Sequence, residues 1–290
     1  MIRNYHDTRS SSDTTRPDAK FTRVGKNNKV KQYTPAEAGN IMYLGTETET
    51  DRYRDWGRAE EASDMVDELR GDYCHCEHDG SLNCGFEIVT EPMTLAAHRA
   101  ANWGELFSRL EHEYDAKSHD TQTCGLHVHV SRAGLGNEDR DRELCIAKIL
   151  ALVEKFEQEL ACFARRDFRS CQWCRPTGFG YVQGDSTRNL LRKEHEIQDR
   201  QGYCCHDSDR YRAVNLQNKN TIEFRIFKGT LNPNTYYATL ALVDGLCRWC
   251  KQHCSNELTG LSWTGLLEWI NDDTLTTYWH GRQGQMWRFA

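Results

Sequence analysis

Two carboxylates spaced two residues apart behind an apolar lead-in constrain this chain most: Ile41-Met42-Tyr43-Leu44 runs into Gly45-Thr46-Glu47-Thr48-Glu49. Successive side chains of a strand alternate faces, so Glu47 and Glu49 share one face and Thr46 and Thr48 the other. Two like charges on one face repel unless something positive offsets them. A hard divalent cation, which prefers oxygen ligands, meets that need. A solvated edge strand is the plain alternative.

The arrangement recurs. Gly125-Leu126-His127-Val128-His129-Val130 sets two imidazoles on one face and Leu126, Val128 and Val130 on the other. Thr221 to Phe227 sets Glu223 and Arg225 against Ile222, Phe224 and Ile226. Glu87 alternates with Phe86 and Ile88 in a short run that stops at Pro92. Arg210, Arg212 and Asn215 lie on an imperfectly alternating segment that Asn218-Lys219-Asn220 turns into the Glu223 strand, a hairpin signal. Arg210 and Arg212 suit phosphate or carboxylate capture, or they are solvated hairpin arginines. An antiparallel sheet with one apolar and one polar face reads this way. Convergent carboxylates, imidazoles and guanidinia mark that polar face as a functional cleft.

The chain's 290 residues allow one large domain or two small ones, and its net charge of -6 argues against a general nucleic-acid coat. No apolar run approaches the ~18 residues of a membrane span. The polar start, residues 1–20, lacks a signal-peptide core, so a reducing cytoplasm is expected despite 13 cysteines. Cys171-Gln172-Trp173-Cys174 has zinc-knuckle spacing, and Cys204, Cys205 and His206 could complete a structural zinc site. Cys74-His75-Cys76 with His78 is a second such cluster, whereas Cys247, Cys250 and Cys254 read as small core residues on one helix face.

The expected order is a polar arm over 1–40 with a strand near 20–30, then a strand over 41–49 and a helix over 59–70. Strand material follows at 82–90, a helix capped by Thr94 over 94–117, and the His-Val-His strand. A helix over 137–166 buries Ile146, Ile149, Leu150, Val153, Phe156 and Leu160. A Cys-rich insertion at 167–206 holds a short helix near 190–198. The Arg210 and Glu223 strands, helices over 234–253 and 263–270 and an aromatic tail complete an α+β chain with no visible internal boundary.

The motifs, taken in order, resemble the amidoligase family of glutamine synthetase-like carboxylate–amine ligases, many of them phage-encoded. They are Gly45-x-Glu47-x-Glu49; Asp79-Gly80-Ser81-Leu82 with Gly85-Phe86-Glu87; Cys124-Gly125-Leu126-His127-Val128-His129; Arg210-Tyr211 with Val214-Asn215-Leu216; and Thr221-Ile222-Glu223-Phe224-Arg225 with Gly229-Thr230. The resemblance spans about 41–250. It implies a catalytic domain over 41–290 whose curved antiparallel sheet carries the site, helices packed outside. It implies ATP and Mg²⁺ or Mn²⁺, the metal held by Glu47, Glu49, Glu87, His127 and Glu223. Arg225 would hold the transferring phosphate, with Arg212, Arg210 and Asn215 seating phosphate or substrate. His129 is a second ligand or a substrate contact.

The implied reaction is amide or peptide bond formation through an acyl phosphate, yielding ADP, between small-molecule or peptide carboxylates and amines. A modified nucleobase stays open as substrate, and a phage-encoded member would work in the host cytoplasm. Two other readings stand beside it: a metal-dependent amide or ester hydrolase without ATP, and a non-catalytic phage structural or binding protein. No Walker-type loop supports a P-loop ATPase.

Overall fold

The computed structural model describes residues 1–3, 19–25, 27–203 and 210–289. The chain divides into two compact units: Met1–Gly39, Tyr43–Val130 and Phe227–Tyr237 form one, and Asn40–Met42, Ser131–Ile226 and Ala238–Ala290 the other. Each unit draws on three separate stretches, so no single linker composition marks the division.

In the first unit, β1 (Phe21–Val24) and β2 (Val30–Tyr33) pair as an antiparallel hairpin, followed by the short α1 (Pro35–Ala38). Phe21 joins Ala19, Ala38 and Tyr43 in a small core, so the described part of the arm carries the expected strand and a second one. Next come β3 (Leu44–Thr50), α2 (Trp56–Arg70), β4 (Cys74–Glu77), β5 (Phe86–Thr90), α3 (Leu95–Ala100), α4 (Trp103–Glu113) and β6 (Gly125–Ser131). Asp55 caps α2 by accepting the Arg58 N–H at 2.9 Å, and Thr94 caps α3 as expected. The single helix expected over 94–117 is broken at Asn102, whose φ of 50° lies in the left-handed region that Asn tolerates.

Four strands of this unit run antiparallel in the order β4-β5-β3-β6. Their register sorts the side chains. Thr46 and Thr48 share a face with Phe86, Ile88, Leu126 and Val128, all buried. Tyr236 covers this face: its hydroxyl lies 3.0 Å from Thr46 Oγ1, and its ring meets Trp103 and Phe107 edge-on. β4 was not expected as a strand. Its alternation sends Cys74 and Cys76 to the apolar face and His75 and Glu77 to the other, so the proposed Cys74-His75-Cys76 metal cluster cannot converge.

The second unit begins with α5 (Asp139–Lys155) and α6 (Glu157–Ala164). One helix was expected over 137–166; the break at Phe156 lets its ring pack edge-on against Trp263 at 5.5 Å. The expected stripe from Ile146 to Leu160 is buried. α7 (Thr187–Tyr203) is longer than the short helix anticipated. β7 is reduced to Val214–Asn215 and pairs with β8 (Thr221–Lys228) across a turn in which Asn218 Oδ1 accepts from the backbone of Asn220 and Thr221. α8 (Pro233–Gln252) has its first residues in the first unit and continues into the second, followed by α9 (Trp263–Ile270) and α10 (Asp273–Arg282). α10 occupies what was read as an aromatic tail. Cys247 and Cys250 are buried as expected, while Cys254 lies past the end of α8 and is exposed. Among the described residues, no helix is long and apolar enough to cross a membrane.

Gly85 enters β5 where another backbone comes closest. A Cβ there would lie 2.0 Å from the Thr50 carbonyl oxygen and 2.7 Å from Asp51 Cα. Gly85→Ala should destabilise the protein by about 3 kcal/mol, lowering Tm by roughly 6–10 °C. An unchanged melting curve would show that β5 can move away from β3 without cost.

Candidate functional site

Register alone brings the predicted residues of the first unit together. Glu49 stands opposite Glu87, and Glu47 opposite His127. His129 follows two residues on, with its Nε2 3.1 Å from Glu47 Oε1. His127 Nδ1 is 3.2 Å from Glu47 Oε2, and its Nε2 is 3.8 Å from Glu49 Oε1. The backbone N–H of Gly125 donates to Glu49 Oε2. A Cβ at Gly125 would sit 2.9 Å from His127 Nε2, so the bare backbone makes room for the imidazole.

The face is more acidic than the sequence reading gave it. Glu77 lies opposite Glu87 on the far side, and His75 Nε2 hydrogen-bonds Glu77 Oε1 at 2.6 Å. Asp79, two residues past the end of β4, completes a triad: one oxygen each of Glu49, Asp79 and Glu87 lies within 4.8 Å of the others. The three glutamates are out of water, with Glu77 0%, Glu87 3% and Glu49 4% exposed, while Asp79 is half-buried. Asp51 anchors the loop between Asp79 and β5. Its carboxylate accepts from the backbone of Asn83 and Cys84, from the Asn83 amide and from Thr123 Oγ1.

Electrostatics divides the carboxylates into two kinds. Burial opposes ionisation of Glu47, but the His129 and His127 imidazoles outweigh it and hold the carboxyl well below its usual range. Glu87 has no such help. Burial, then the charges of Glu47, Asp79, Glu49 and Glu77, push its carboxyl well above the usual range. The donor set fits a hard divalent cation: three carboxylate oxygens, one from each residue, lie within 4.8 Å of one another.

In the second unit, Glu223 is nearly buried between two predicted neighbours. Asn215 Nδ2 donates to its Oε2 at 2.8 Å, and the Arg225 guanidinium donates to its Oε1. The Tyr211 ring lies 5.6 Å from the Arg225 guanidinium and 4.9 Å from that of Arg210. Arg212 reaches the Pro176 carbonyl at 3.3 Å, which ties the β7 segment to the Cys-rich insertion. The register sets Glu223 opposite Asn215 and thus gives Asn215, Glu223 and Arg225 one face.

In that insertion the Cys171 thiol is held down to about 5, chiefly by the Cys174 thiol that donates to it. Cys204, Cys205 and His206, the other expected zinc ligands, lie outside the described residues.

Three residues escaped the sequence reading. His75 and Glu77 carry the same two-residue spacing as Glu47 and Glu49, but flanking cysteines disguised the alternation as a metal knuckle. Asp79 was visible as part of a motif, yet a loop residue has no period that reveals where it points.

A family model described as "putative amidoligase enzyme" matches residues 22–247, from β1 into α8. No curated protein matches the chain.

The Glu87 shift sets a pH dependence. Its folded pKa lies above the unfolded value, so its contribution to stability is full below about 4.5 and is lost as pH rises toward the folded value. In chelator, Glu87→Gln should therefore melt above wild type at pH 8, and the difference should shrink toward pH 4.5. A variant that melts lower than wild type at pH 8 would contradict this.

Proposed function

The chain belongs to the amidoligase family, and from that premise we propose that it is an ATP-dependent carboxylate–amine ligase working through an acyl phosphate. In this reading the catalytic domain is glutamine synthetase-like. The acid is an amino acid or peptide-like compound, and the products besides the amide are ADP and phosphate. The observation that carries the proposal is the triad of Glu49, Asp79 and Glu87, the two glutamates buried and Asp79 half-buried, one oxygen of each lying within 4.8 Å of the others.

The chemistry explains why such residues are needed. A carboxylate resists amines near neutral pH because its charge shields the carbon. Phosphorylation gives it a leaving group. Phosphoryl transfer asks the protein mainly for positioning and charge neutralisation. Mg²⁺ or Mn²⁺, when bound, supplies neutralisation of phosphate oxygens.

In the first unit we assign Glu47, Glu49, Glu87 and His127 to metal binding and add Asp79 from its place in the triad; in the second unit we assign Glu223 to metal binding. Glu47 is kept ionised by its two imidazoles, as a metal ligand must be. His129 holds Glu47 in place from the other side. Arg225, oriented by Glu223 and backed by Tyr211, binds the transferring phosphoryl group; Arg212, Arg210 and Asn215 help seat phosphate or substrate.

Incubation with ATP, Mg²⁺ and pools of amino acids should release ADP. Arg225→Lys should lower turnover about a hundredfold while Mg²⁺ binding persists, because Lys keeps the charge and loses the planar fork. Release of AMP and pyrophosphate alone, or amide cleavage with metal and no nucleotide, would overturn the proposal.

A further inference from the structure

An aromatic surface in the second unit has no part in the chemistry assigned so far. Trp173, in the Cys-rich insertion, keeps 40% of its surface exposed. A single exposed indole says little by itself, but its setting says more. Its ring meets that of Tyr211 edge-on at 4.8 Å, with the planes 88° apart. The Arg210 guanidinium lies 4.9 Å from the centre of the same tyrosine ring, and that of Arg225 lies 5.6 Å from it. One tyrosine therefore joins an exposed indole to two guanidinia.

Both backbone and side chains hold the group in place. Arg175, two residues past Trp173, donates its N–H to the Tyr211 carbonyl at 3.0 Å and accepts the Ala213 N–H at 2.7 Å. Ala213 in turn accepts the Arg225 N–H at 3.0 Å. Arg210 Nη2 donates to the Tyr211 hydroxyl at 2.9 Å. Trp173 thus borders a paired segment next to the strand that carries Arg225, and a ligand that lands on the indole has little left to order.

We propose that Trp173 is the stacking platform for the base of a nucleotide whose phosphates Arg210 and Arg225 bind. Guanidinia take phosphate oxygens in a two-pronged fashion. Exposed aromatic rings take bases by the π-face, which every base has. A nucleotide carries both groups on one ribose, so it can engage the indole and the guanidinia together. Inorganic phosphate or an aliphatic carboxylate offers the indole nothing. The choice of a nucleotide rests on the ligase reading; the platform deepens that reading by giving the base a partner in the Cys-rich insertion.

The test titrates ATP and, separately, inorganic tripolyphosphate into the full chain by calorimetry with Mg²⁺ present. Trp173→Leu keeps apolar bulk and loses the ring, whereas Trp173→Phe keeps a ring. Trp173→Leu should bind ATP about tenfold more weakly than wild type and tripolyphosphate as wild type does. Trp173→Phe should keep most of the affinity for ATP. Equal ATP affinity in Trp173→Leu and wild type would overturn the platform, as would a Trp173→Phe variant as weak as Trp173→Leu. An equal loss of ATP and tripolyphosphate binding would overturn it in favour of a merely structural support for the arginines. ADP release by wild type alongside any of these results would leave the ligase reading standing, whereas wild type that binds neither ATP nor tripolyphosphate would overturn both.

Discussion

Repulsion among buried carboxylates is the constraint on which the first unit turns. Glu49 and Glu87 stand opposite one another, with Glu77 on the far side of Glu87 and Asp79 within bridging distance. Isolated charges out of water cost several kcal/mol each. The surrounding polar contacts act on that cost. His127 and His129 flank Glu47, the Gly125 N–H points at Glu49, and His75 holds Glu77. Glu87 remains the member whose charge is most opposed, which is where a cation or a proton has most effect.

The opposite face of the same strands answers for rigidity. Thr46 shares the polar atoms of its apolar surroundings with Thr90 and Tyr236, and His98 binds the Leu44 carbonyl at 3.0 Å. Burial pushes the His98 imidazole down to about 4, so it stays neutral there. A satisfied polar network beneath β3 specifies register, and register is what makes two carboxylates on neighbouring strands meet. In the second unit the Asn218 turn does the same for Asn215, Glu223 and Arg225.

Much of this was legible because a strand has a period of two. Glu47 with Glu49, His127 with His129 and Glu223 with Arg225 each declared a face, and each lies on a strand with its apolar neighbours buried. β4 was missed because cysteine and histidine do not announce themselves as inside and outside residues. The helix breaks at Asn102 and Phe156 follow from one backbone conformation and one tertiary ring contact, which helical periodicity cannot register. The insertion was unreadable for a similar reason. Its loop is held by Glu154, 23 residues or more away, which accepts from Thr177, Phe179 and Tyr181. The interleaved division into two units leaves no compositional trace at all.

The central claim is that the acidic face of the first unit is a divalent-cation site whose charge is otherwise offset by a proton. Calorimetric titration of the chelator-treated protein with Mn²⁺ at pH 6, in buffers of different ionisation enthalpy, tests it directly. Saturable binding is predicted, with a heat that depends on the buffer because the cation displaces the proton held by Glu87. Absence of saturable binding, or a heat identical in every buffer, would contradict it.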